Sequence, residues 1–156
     1  MPDAVHKQCL DSVRQQIEAL SFTEIASTDI IVRKSPWNDN FVHRGITISW
    51  EDPREASGDS RPSNSRDVLG YPCVVTDVTG NADGSTDQMS AIATRRQKIF
   101  RSFNNHRLTS LVSSPGVNNI PCTVSYGSPT IPKQYADKYD ASQMIVWCWM
   151  VEQRTN

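Results

Sequence analysis

Apolar residues recur at every fourth position near the start of the chain, at Val5, Cys9, Val13 and Ile17, with Leu10 and Leu20 widening the stripe. That period predicts an amphipathic helix from about Ala4 to Leu20, with Asp3 as an N-cap that accepts hydrogen bonds from free backbone amides. The pattern then changes. Asp29-Ile30-Ile31-Val32-Arg33-Lys34 is β-branched and reads as a strand closed by Ser35-Pro36. Trp37 and Asn38-Asp39-Asn40 follow as a loop, in which Trp37 is either a lid on the core or an interface anchor. Ile46 to Trp50 alternates strictly, which predicts a strand with one face buried and the other wet or paired.

Asp52 to Arg66 holds three acids, three arginines, two prolines and four serines, and no apolar residue larger than Ala56. Such a composition cannot pack, so a flexible loop is expected here within a long hairpin, either as a binding arm or as an unstructured tip. Asp67 to Thr79 returns as a long strand, which Gly70 and Pro72 should bulge or confine to a sheet edge. A capping box, Ser85 to Gln88, opens a second helix that runs to about Asn104. With Arg95 set at zero on a helical wheel, Met89, Ile92, Ala93, Ile99, Phe100 and Phe103 occupy an arc of roughly 40–160°. Arg95, Lys98 and Arg101 fall on the opposite, solvated side. Arg96 projects into the apolar arc, where it must snorkel to the rim or pair with a carboxylate or carbonyl.

Ile120 to Tyr126 reads as a further strand, and Ser142 to Val151 as the last and most apolar one. Both alternating sets of that last strand are hydrophobic, so it belongs at the sheet centre or between helices and another subunit. The order α-β-β-β-α-β-β predicts a single α+β domain over residues 1–156. Its sheet is mostly antiparallel, with two amphipathic helices packed on one face.

Composition adds that the core is thin. Hydrophobic residues make up 37% of the chain, while Ser, Thr, Asn and Gln account for 46 of its 156 residues. Part of the stability is therefore expected from contact with copies of the chain or with partners. No apolar run approaches the roughly 18–20 residues of a membrane span, and no secretory signal opens the sequence. Cys9, Cys73, Cys122 and Cys148 are far apart, form no CxxC pair and each sit in an apolar pattern. They read as buried free thiols in a reducing compartment rather than as a locally built zinc site. His6, His43 and His106 are equally dispersed, do not look buried, and His6 is expected to face solvent. There is no GxSxG elbow, HExxH or phosphate-binding loop, and the Glu51-Asp52 pair lies at the root of the flexible loop. No enzyme, cofactor or metal is expected.

Net charge is −1, yet no Asp or Glu occurs between Gln88 and Ala136, a stretch that carries six cations. The rest of the chain then carries −7. Such polarity favours head-to-tail self-association or a face turned to a polyanion, unless the fold neutralises it internally.

Three strings carry a resemblance. Asp67-Val68-Leu69-Gly70-Tyr71-Pro72 leads into a strand, Arg95 to Leu108 forms a basic helix, and Tyr139-Asp140-Ala141-Ser142 precedes the terminal hydrophobic strand. Together with the opening helix and Ile31 to Trp37, they resemble the small tail-terminator and tail-completion proteins (head–tail joining, neck) of tailed bacteriophages. The likeness covers most of the chain apart from Asp52–Arg66. It implies a virion structural protein, assembled in the host cytoplasm as a ring commonly of six copies. Such a ring caps the tail tube and joins it to head connector or stopper proteins. Genomic double-stranded DNA passes through without sequence-specific binding, and no membrane is involved. Subunit or partner contacts are expected from Trp37, Glu51, Asp52, Arg54, Glu55, Asp59, Arg61, Arg66, Arg95, Arg96, Lys98 and Arg101. The alternatives are another connector component, a stopper or adaptor, or a small nucleic-acid-binding module using Arg95, Lys98, Arg101 and Arg107.

Overall fold

Two fifteen-residue strands, β6 (Arg66–Gly80) and β9 (Tyr139–Gln153), pair antiparallel in unbroken register from Arg66↔Gln153 to Gly80↔Tyr139. The computed structural model describes residues 2–38, 41–55, 66–80, 86–108, 117–129, 131–135 and 138–153. On its other side β6 meets β4 (Gly45–Trp50) and then β5 (Arg54–Glu55), both antiparallel. β1 (Ile30–Val32) adds to β4 in parallel and ends the sheet. At the opposite end, β7 (Val117–Asn119) and β8 (Thr123–Gly127) share the outer side of β9. β2 (Trp37–Asn38) and β3 (Phe41–Val42) form a separate two-stranded ladder. The protein is thus α+β, with a mostly antiparallel sheet, one parallel pair and two helices, α1 (Pro2–Glu18) and α2 (Thr86–Phe103).

Strand alternation divides the sheet into two faces. One carries Ile46, Ile48, Tyr71, Cys73, Val75, Met144, Val146, Cys148 and Met150. These residues join Cys9, Val13 and Ile17 of α1 and Ile99 and Phe103 of α2 in one buried core. α1 lies against β1, β4 and β6, and α2 against β9, β6 and β8. No helix among the described residues is long and apolar enough to cross a membrane.

Several expectations are corrected. β6 is neither bulged nor an edge. The ladder with β4 stops at Trp50↔Cys73 and resumes with β5 at Arg54↔Gly70, so Pro72 falls in the interruption. Its carbonyl there accepts from His6 Nε2 at 2.9 Å instead of from a strand. The amide proton that proline lacks is therefore not needed by a neighbouring strand. Asp3 lies within α1 rather than capping it. A two-residue ladder stands where residues after Trp37 were expected as loop, and part of the polar stretch enters the sheet as β5, with residues 56–65 outside the described chain. The strand expected from Ile120 begins only at Thr123. Cys122 instead exchanges backbone bonds with Asn105 and His106, both at 2.8 Å, which ties this segment to the end of α2. Asn105 turns the chain there with φ 62°, a conformation asparagine tolerates at helix ends. Thr47 is fully buried although its face of β4 was expected to be wet or paired to a neighbour, and its hydroxyl finds no hydrogen-bond partner. Ser85 of the expected capping box lies outside the described residues.

Candidate functional site

The second face of the sheet carries a row of half-buried large apolar side chains on β9. On β9, Met144, Val146, Cys148 and Met150 are buried, while Ile145, Trp147, Trp149 and Val151 are half-buried. The sequence made both sets equally apolar, and the structure separates them into core and surface. Trp147 and Trp149 stack at 5.9 Å between ring centroids, tilted by 22°. Each indole is fixed from β8: Trp147 Nε1 donates to Ser125 Oγ at 3.3 Å and Trp149 Nε1 to Thr123 Oγ1 at 2.8 Å. Trp149 lies across β6 over Gly70, where any Cβ would meet Cζ3 at 2.6 Å. Gly70 therefore serves to lay an indole flat on the strand. The result is a rigid aromatic plate, pre-ordered before any partner arrives.

Beside it, Trp37 stacks on Tyr135 at 5.8 Å, and Tyr139 meets both rings edge-on. Arg44 lies over Tyr139 at 5.6 Å. Trp37 and Glu51 border one cleft of about 360 Å³, floored by Val74 and Thr76 of β6. Trp37 is half-buried and so acts as a partial lid on this face.

The basic residues of α2 separate. Ile92, Arg95, Ile99 and Phe103 line its buried side, whereas Met89 is 65% exposed. Arg95 was expected in solvent; it is buried instead, because its Nε donates to Asp77 Oδ2 at 2.7 Å and its Nη2 to Asp77 Oδ1 at 3.1 Å. Thr79 Oγ1 accepts a further bond at 2.9 Å, and Glu24 stands 3.8 Å away. Burial pushes the Asp77 carboxyl above its ordinary range, since dehydration outweighs the opposing pull of Arg95. Arg96 lies with its guanidinium 4.1 Å from the centroid of Tyr126, which stacks on Phe100. It thus meets the face of Tyr126, itself 53% exposed, where a rim position, a carboxylate or backbone carbonyls were expected. Lys98 and Arg101 remain exposed.

Among the other expected contact residues, Glu51 and Asp52 are exposed in the gap between β4 and β5. Arg54 and Glu55 form β5, opposite Gly70 and Leu69, and Arg66 opens β6 opposite Gln153. Asp59 and Arg61 lie outside the described residues. Among the described side chains of that set, Arg95 is buried, Trp37 and Arg96 are half-buried, and Glu51, Asp52, Lys98 and Arg101 are exposed. Sequence reasoning passed over Tyr135, Thr123 and Ser125, and the signal that could have found the last two was the alternation of Thr123 and Ser125 opposite that of Trp147 and Trp149.

Two histidines correct the reading that none is buried. His6 is 3% exposed, with its ring against Trp50 and Tyr71, and His43 is 7% exposed and bonds the Asp29 carbonyl at 2.8 Å. All four cysteines are free and buried. They converge: Cys73 Sγ and Cys148 Sγ stand 3.8 Å apart, and Cys148 interacts with Cys122 and Cys9 as well. Burial pushes the Cys73 thiol up. Hydrogen bonds to Cys122, Cys73 and Cys9, followed by burial, push Cys148 well up. The bond from Cys148 holds Cys122 down. No group of three or more His, Cys, Asp or Glu among the described residues is arranged to hold a metal ion. No family model matches the sequence, and no curated protein matches it either.

Proposed function

We propose that the chain is a ring subunit of a bacteriophage neck, the terminator that caps the tail tube and joins it to the head connector. The observation that carries this reading is the plate of Trp147 and Trp149, flanked by Ile145 and Val151, on the sheet face opposite the helical core. Both helices pack on the other face, and on this one Ile145, Trp147, Trp149 and Val151 stay half-buried within one copy, a surface that a neighbouring copy would cover. The acid-free stretch from Gln88 to Ala136 and the acidic remainder supply opposite charges for a head-to-tail contact. The likeness of Asp67–Pro72, Arg95–Leu108 and Tyr139–Ser142 to tail-terminator proteins points the same way. A nucleic-acid-binding module using Arg95, Lys98, Arg101 and Arg107 is less well supported, because Arg95 is buried against Asp77.

Light scattering over a hundredfold range of concentration, with negative-stain imaging, tests the reading. A closed ring whose mass falls in Trp147→Ser and Trp149→Ser is expected. A strict monomer at every concentration that also fails to bind isolated tail tubes overturns it.

A further inference from the structure

β1 ends the sheet, and no strand among the described residues pairs with its outer side. Arg33 N–H donates to the Ile48 carbonyl at 2.9 Å. By alternation, the peptide groups of Ile31 and Arg33 face β4, and those of Ile30 and Val32 face outward. The Ile30 N–H is taken by the Ser27 carbonyl, which leaves the Ile30 C=O and both peptide groups of Val32 on the free edge. Val32 is 40% exposed and Trp50 57% exposed. They share a cleft of about 540 Å³ with His6, Leu10, Lys7, Arg33 and Lys34, and no carboxylate among the described residues lines it. On its other side Val32 borders a second cleft, where Asp11, Arg14 and Glu18 of α1 leave a net negative charge.

We propose that this edge accepts an extended segment of a partner protein as an added strand, one whose cleft-facing side chains, two residues apart, run from apolar to carboxylate. An incoming strand would bond the outward groups of Val32, place an apolar side chain between Val32 and Trp50, and set carboxylates against Lys7 and Lys34. The sign of charge reverses along the edge, from Lys34 to Glu18, so the acidic end of the segment lies towards Lys34. The inference does not require self-assembly.

The test is fluorescence anisotropy with a labelled octapeptide, Thr-Val-Thr-Val-Thr-Glu-Thr-Glu, against the same peptide with Lys for Glu. The acidic peptide should bind at least about tenfold more tightly and lose affinity as salt rises. Val32→Pro, which removes an outward N–H together with the valine side chain, and the double variant Lys7→Glu/Lys34→Glu should each weaken it about tenfold. Circular dichroism checks folding; if Val32→Pro unfolds, the lysine variant decides. Equal binding of both peptides, or binding unchanged in the folded variants, overturns the proposal. So does a change in self-associated mass without a change in peptide affinity, which would assign the edge to a second copy.

Discussion

Gly70 and Trp149 are cross-strand partners in the β6–β9 ladder, and the indole occupies the space that a Cβ on residue 70 would take. The ring cannot easily move aside, because its Nε1 is held by Thr123 at 2.8 Å. Gly70→Ala should therefore destabilise the protein by about 2 kcal/mol through overpacking. Paired with Trp149→Leu, the loss should shrink, and urea denaturation of the two singles and the double measures that coupling. Strict additivity would contradict the packing described.

The Arg95–Asp77 pair makes a second prediction. Both side chains are about 4% exposed, so removing one partner strands a charge away from water. Arg95→Met should cost about 3–5 kcal/mol, whereas Arg95→Met with Asp77→Leu should recover most of that loss. Thermal melts of the single and double variants decide. A double variant no better than the single would show that the pair shapes the fold beyond its own charges.

Thr47 offers the opposite case. Its hydroxyl is buried without a partner on a strand that favours β-branched residues. Thr47→Val keeps the shape and removes the dehydrated group, so stability should rise by about 1 kcal/mol. A lower urea midpoint in this variant would mean that the hydroxyl does have a partner.

Cys73 and Cys148 both titrate above their ordinary thiol range. A raised pKa means that the folded state holds its protons while the unfolded chain releases them. The stability these thiols contribute is thus complete below the unfolded-state value near 9 and falls as pH climbs towards the folded-state values. Melting temperature should drop as pH rises above about 9, and Cys148→Ala should flatten that slope. In native protein, thiol reagents should label all four cysteines only as fast as the core opens. Rapid labelling at neutral pH would refute the burial.

The core of α1 was legible because Cys9, Val13 and Ile17 lie on one stripe facing one layer. The phase of α2 was not. Arg95 was excluded from the buried side by its charge, and the carboxylate that admits it stands on β6, outside the helix's own periodicity. The same holds for His6, whose acceptor exists only because the β4 and β5 ladders leave Pro72 uncovered. Gly70 and Pro72 carried the local signature of a broken strand, and each is accommodated by a residue distant in sequence. On β9, hydrophobicity could not tell the core set from the tryptophan set, since only the position of the helices distinguishes them. Apart from Trp37, the expected contact residues were charged, whereas the half-buried plate is aromatic and neutral.

The pairing of β6 with β9 sets the order in which the molecule can be made. Gly80 must wait for Tyr139, and Arg66 for Gln153, so the sheet has no inner half until the second strand has been synthesised. Before then, the unpaired edge of β6 and the apolar side of α2 are left uncovered, and such surfaces recruit chaperones or stick to one another. Folding dominated by contacts this remote is slow. A polypeptide interrupted before residue 139 should emerge from the ribosome unable to close, and accumulate as aggregate or be degraded.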